Sequence, residues 1–144
     1  MSSPEDRIVV VPCSGIGKTF GSVSREAAYE VCDELRPDAT RLLALSKLVL
    51  GDDEARERVR TGRSITIDGC RLMCAAKLVR QRGGVPVREV AVLDVYRDHK
   101  DLKPDGIAEL NEAGTRLARV VAEEIADTID QVRAGPTARE PSHA

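Results

Sequence analysis

Residues Ile8–Val11, within the segment Arg7–Pro12, form an unbroken apolar run of β-branched side chains that ends at a proline and a glycine-rich stretch. A strand with one wet face alternates apolar and polar residues. An uninterrupted run suits a strand covered on both faces, as in parallel sheets. Such a strand needs helices above and below it, which points to a layered α/β architecture.

The rest of the chain supplies those layers. Val23, Ala27, Ala28, Val31, Cys32 and Leu35 recur at helical spacing, which predicts a helix from about Ser22 to Leu35. Ser22 or Ser24 is its candidate N-cap, and Pro37 closes it. Arg41–Leu50 fits strand or helix, and a second strand is expected near Arg41–Ala44. Asp52 caps a short charged surface helix running through Arg60, with Asp53 and Glu54 in its positive first turn. Ser64–Ile67 reads as the third strand, followed by Asp68-Gly69-Cys70 and a helix to about Gln81 that Gly83-Gly84 stops. Val87–Val95 reads as a fourth strand. Asp105 is expected to cap a long helix with the stripe Ile107, Leu110, Leu117, Val121, Ile125, Ile129 and Val132.

The alternation predicts a single three-layer α/β domain: a mainly parallel four-stranded sheet with helices on both faces and a long C-terminal helix. Its expected span is residues 7–134, with a disordered N-terminus at 1–6 and a flexible tail at 135–144. At 144 residues the chain is one domain's worth and buries about 68–70% of its unfolded surface. With aromatics at 2%, the core must be aliphatic, and stacking platforms for single-stranded nucleic acid are nearly absent. The net charge of −2 is built from interspersed signs, so no basic stripe recommends a nucleic-acid partner. No long apolar run suggests a signal peptide or a membrane span, which predicts a cytoplasmic protein. Its four cysteines are then expected to be thiols, not disulfides.

Their positions carry the chemistry. In a parallel sheet with right-handed crossovers, the carboxyl ends of all strands share one edge. Cys13 follows the first strand and Cys70 the third, so both emerge there. A flavodoxin-like order makes those strands neighbours, and their crevice is the topological switch point. Cys70 at a helix entrance and Cys74 one turn in would face the same side, where a helix N-terminus favours thiolates. Cys13, Cys70 and Cys74 therefore form a candidate soft-metal site, zinc first. Lys18 and Arg71 could offset surplus negative charge, and Cys32, inside a helical stripe, reads as core packing.

Val11-Pro12-Cys13-Ser14-Gly15-Ile16-Gly17-Lys18, then Ile67-Asp68-Gly69-Cys70 with Cys74-Ala75, resemble the signatures of the DGC-domain family. These are small proteins described as zinc-binding and named for the Asp-Gly-Cys triplet. The resemblance runs from about Ile8 to Val132 and includes Arg36-Pro37, Gly51-Asp52 and Asp101-Leu102-Lys103-Pro104. It implies that Cys13, Cys70 and Cys74 are metal ligands. The family pattern carries a further cysteine aligning near Ala44, where this chain has Leu43-Ala44-Leu45. Cys32, Asp68, solvent or a partner would then complete the site. The family implies no settled reaction.

Other constellations compete. Gly17-Lys18-Thr19 after a strand resembles a P-loop, but Pro12 stands where the pattern needs glycine. Gly15 and Gly17 fit a dinucleotide fingerprint whose third position holds Phe20. Backbone N–H groups at Ser14–Lys18 suit a simple anion or merely a tight turn. Cys13 and Cys70 could be a redox pair, or either could be the nucleophile of a thiol enzyme or sulfur carrier. Asp68 either orients the thiol loop or caps the following helix. Met73 is expected beneath the site as core, His99 and His143 in solvent, and surplus apolar surface on the long helix would favour a homodimer.

Overall fold

The computed structural model describes residues 6–13 and 18–135. Strands β1 (Ile8–Pro12), β2 (Thr40–Leu42), β3 (Ser64–Asp68) and β4 (Arg88–Ala91) pair in the order β2-β1-β3-β4, all parallel. The expected α/β domain is therefore present, and β1 and β3 are neighbours. The expected disorder of residues 1–5, the loop residues 14–17, and the tail with His143 lie outside the described residues.

Side chains alternate from β1. Ile8 and Val10 face one layer with Ile65 and Ile67 of β3, packing on Val23, Ala27 and Val31 and on Leu117, Val121, Ile125 and Ile129. These come from α1 (Thr19–Tyr29), its π-helical continuation Glu30–Leu35, and α6 (Glu112–Ala134). Val9, Val11 and Cys13 face the other layer, formed by α2 (Leu45–Leu50), α3 (Asp53–Thr61) and α4 (Cys74–Gln81) through Leu48, Val59, Ala75 and Val79. The strand that read as buried twice is in contact with both layers. On β3 the second face is polar: Ser64, Thr66 and Asp68 are all buried.

Three sequence expectations need correction. The first helix begins at Thr19, not Ser22, because both serines are spent elsewhere: Ser22 donates to the Ile107 carbonyl and Ser24 to the Gly21 carbonyl. The fourth strand ends at Ala91, opposite Asp68, where β3 itself ends; Val92–Arg97 turns into helix α5 and aims Val92 and Val95 into the core. Periodicity alone does not separate strand from helix in such a run. The long helix is capped by Asn111, whose Oδ1 accepts the Gly114 N–H at 2.8 Å, while Asp105 caps only its own turn through Gly106. Ile107 is thereby left outside the helix and half exposed. The second strand lies close to its expected place, at Thr40–Leu42, and the rest of Arg41–Leu50 holds α2, which Gly51 ends in the left-handed conformation at φ 78°.

Every large apolar side chain of α6 is buried or half-buried within the chain. The stripe that suggested a homodimer is used inside the domain, largely against α1 and the π segment. Arg36 fixes this packing from the rim, donating to both carboxylate oxygens of Asp130 at 2.8 and 2.6 Å. No helix of the described residues is long and apolar enough to cross a membrane.

Cys32 is half-buried against the larger core, as its stripe position predicts. Burial pushes its thiol from 9.0 up to about 11. An acid whose folded pKa is raised keeps its proton in the native state after the unfolded chain has lost it. Stability from this group is therefore whole below pH 9.0 and declines as pH rises through about 11. A rise of that size corresponds to about 2–3 kcal/mol. Denaturant titrations across that range should show the decline, and Cys32→Val should flatten it. An unchanged slope in the variant would place the titration elsewhere.

Candidate thiol site

β1 delivers Cys13 to the carboxyl edge and the sheet holds it there, its N–H donating to the Ile67 carbonyl at 2.8 Å. The buried sulfur receives the Gly69 N–H at 3.3 Å and lies 3.2 Å from Ser24 Oγ. Ser24 already donates its one hydroxyl proton to the Gly21 carbonyl at 2.7 Å. The Cys13 S–H is thus the donor to Ser24 in this arrangement.

The next turn assigns each residue of Asp68-Gly69-Cys70 a separate task. Asp68 is 1% exposed; its Oδ1 accepts the Ala75 N–H at 2.7 Å and its Oδ2 the Ala76 N–H at 3.1 Å. It is the N-terminal cap of α4, supplied from six residues before the helix begins. Gly69 passes against the first turn of α1 so closely that a Cβ would stand 2.7 Å from the Phe20 carbonyl carbon and 2.8 Å from the Gly21 nitrogen. That approach also aims its N–H at Cys13. Cys70 then opens a turn closed by the Met73 N–H on the Cys70 carbonyl, and Met73 enters α4 in the left-handed region at φ 53°.

The helix geometry expected for the cysteines is therefore wrong in one respect. Cys70 does not sit at the helix entrance: it lies in the preceding turn, half-buried, and Cys74 is the exposed first residue of α4. The N–H groups thought to favour thiolates go to Asp68 instead. Met73 is half-buried at the cap rather than core beneath the site, and His99 folds back on the Val95 carbonyl.

Electrostatics follow from burial. Desolvation pushes the Cys13 thiol above its ordinary value; the Gly69 N–H on its sulfur pulls back, while the nearby Asp68 charge adds to the rise. Burial likewise raises the Asp68 carboxyl, against the pull of the Ala75 and Ala76 N–H groups. Ser24 is the site residue that sequence reasoning misassigned, having read it as a helix cap; its spacing from Cys13 gave no other signal.

Three thiols on one sheet edge suit a soft divalent ion in kind. In arrangement they fall short: among the described residues, no three His, Cys, Asp or Glu side chains stand together as a metal would need.

A flavodoxin-ordered sheet with cysteines after β1 and β3 defines an α/β protein that carries Cys13 and Cys70 at the switch point of its sheet. The chain belongs to the DGC-domain family, whose model matches residues 9–132. Comparison with curated proteins and with solved structures gives no match.

Proposed function

We propose that this protein binds zinc through Cys13, Cys70 and Cys74, in a cytoplasmic setting that keeps thiols reduced. The observation that carries the reading is the Cys13 sulfur held at the β1–β3 edge by the N–H of Gly69, the residue directly before Cys70. When bound, the metal would supply the charge that favours loss of the thiol protons. The chain supplies the rest: a fixed Cys13, a Cys70 in a turn outside regular structure, and Cys74 on the rim of α4. Assembly requires the turn 70–73 to move, because the three sulfurs are not grouped as they stand. The raised Cys13 thiol speaks against the alternative of a sulfur carrier or thiol enzyme with Cys13 as a ready thiolate.

Elemental analysis of anaerobically purified protein tests this. About one zinc per chain is expected, lost in Cys70→Ser and retained in Cys32→Ser. Protein without stoichiometric metal would remove the reading.

A further inference from the structure

The connection between β3 and α4 is pinched at its base. Asp68, the last residue of β3, holds the Ala75 and Ala76 N–H groups at 2.7 and 3.1 Å, which ties the strand end to the first turn of the helix. Cys70 lies just inside one side of that neck, and Cys74, directly before Ala75, just inside the other. The chain between them doubles back, with the Met73 N–H donating to the Cys70 carbonyl at 3.3 Å. A β-turn brings its end Cα atoms within about 7 Å, close to the span that a disulfide bridges. Helical side chains lean toward the helix N-terminus, so Cys74, the first residue of α4, leans over the turn that Cys70 opens. Cys74 is exposed and Cys70 half-buried, so a small reagent in solvent reaches Cys74 first. The other two thiols are set apart. Cys13 is 7% exposed with the Gly69 N–H on its sulfur, and Cys32 packs against the opposite layer.

We infer that Cys70 and Cys74 are a thiol pair that hydrogen peroxide converts into a reversible disulfide across the neck of this loop. The Cys74 sulfur attacks one peroxide oxygen; the O–O bond breaks, one water leaves, and a sulfenic acid stays on Cys74. The Cys70 sulfur then attacks the Cys74 sulfur, the S–O bond breaks, and a second water leaves. Two thiols thereby lose two electrons and both their protons, while one peroxide becomes two waters. A thiol reductant restores the pair by exchange. Closure does not pull on the sheet, because Asp68 keeps its hold on α4 and Gly69 its place against α1. The same two sulfurs serve the proposed metal site, yet the pairing rests on the loop alone. It is tested in metal-free protein, whereas zinc is counted in protein never exposed to oxidant, so either reading can fail without the other.

The experiment exposes chelator-treated full-length protein to hydrogen peroxide, blocks the remaining thiols in denaturant, and digests with trypsin. Cleavage after Arg71 falls between the two cysteines, so Ser64–Arg71 and Leu72–Lys77 stay together only where a disulfide links them. That linked pair, in monomeric protein on a non-reducing gel, should be the main oxidised species by mass spectrometry. Cys13 and Cys32 should be recovered blocked, and dithiothreitol should return the pair to two separate peptides. Cys70→Ser should leave the sulfenic acid on Cys74 unresolved, so that dimedone labels it at least about tenfold more than in the parent. Cys74→Ser should give no linked peptides. A link from Cys13 to either residue as the main product, links confined to dimers, or equal dimedone labelling of Cys74 in parent and Cys70→Ser would overturn the inference.

Discussion

Gly69→Ala should destabilise the domain by about 2–3 kcal/mol, a fall in Tm of roughly 5–10 °C for a chain of this size. The added methyl would meet backbone, not the flexible end of a side chain: the Phe20 carbonyl carbon and oxygen and the Gly21 nitrogen, all at 2.7–2.8 Å. Real Cβ atoms do not approach that closely, so either the first turn of α1 or the β3–α4 connection must shift. Either shift also draws the Gly69 N–H off the Cys13 sulfur. The same variant should therefore change the alkylation rate of Cys13 in folded protein, measured by mass spectrometry of peptides. A melt within about 1 °C of the parent would mean that the close approach carries no energy.

Asp68→Ala should cost a similar amount, about 2–3 kcal/mol, through a different cause. It strips the acceptors from the Ala75 and Ala76 N–H groups, both buried with the carboxylate, and an unmet buried donor costs about 1–3 kcal/mol. Asp68→Asn retains one acceptor oxygen and should fall between parent and alanine variant. The carboxylate's own burial works against it, since its pKa is raised chiefly by desolvation. That contribution is whole at pH values below 3.8 and diminishes as pH rises through the elevated folded value. The gap between parent and Asp68→Asn should accordingly narrow on going from acid to neutral pH. Denaturant midpoints at several pH values check the order; equal stability of the alanine and asparagine variants would show that Asp68 is not the cap.

The layers and the order of β1 and β3 were legible because burial on two faces writes itself as a continuous apolar run, and a parallel sheet then leaves few connections. What escaped was what depends on partners distant in sequence. Ser22 and Ser24 carry the right chemistry for capping, and only the folded chain shows Ile107 and Cys13 waiting for them. Val87–Val95 has strand composition throughout, yet its sheet partner runs out at Asp68, a length no local pattern contains. Asp105 and Asn111 are equally good caps on paper; the Gly114 N–H selects the second. At the site, the choice between two roles for Asp68 resolves in favour of capping, and Gly69 turns out to matter for proximity rather than for an unusual φ.

Helices are ordinarily tied down where the chain enters them, so disturbing the entrance frays the first turn. The fastening of α4 lies upstream in the sheet instead, at Asp68, and Gly69 is clamped against α1. Residues 70–73 resemble the slack left in a cable between two clips: the span can be redrawn while both clips hold. Oxidation or ligation at Cys70 should therefore remain a local event, reshaping four residues without loosening the core behind them.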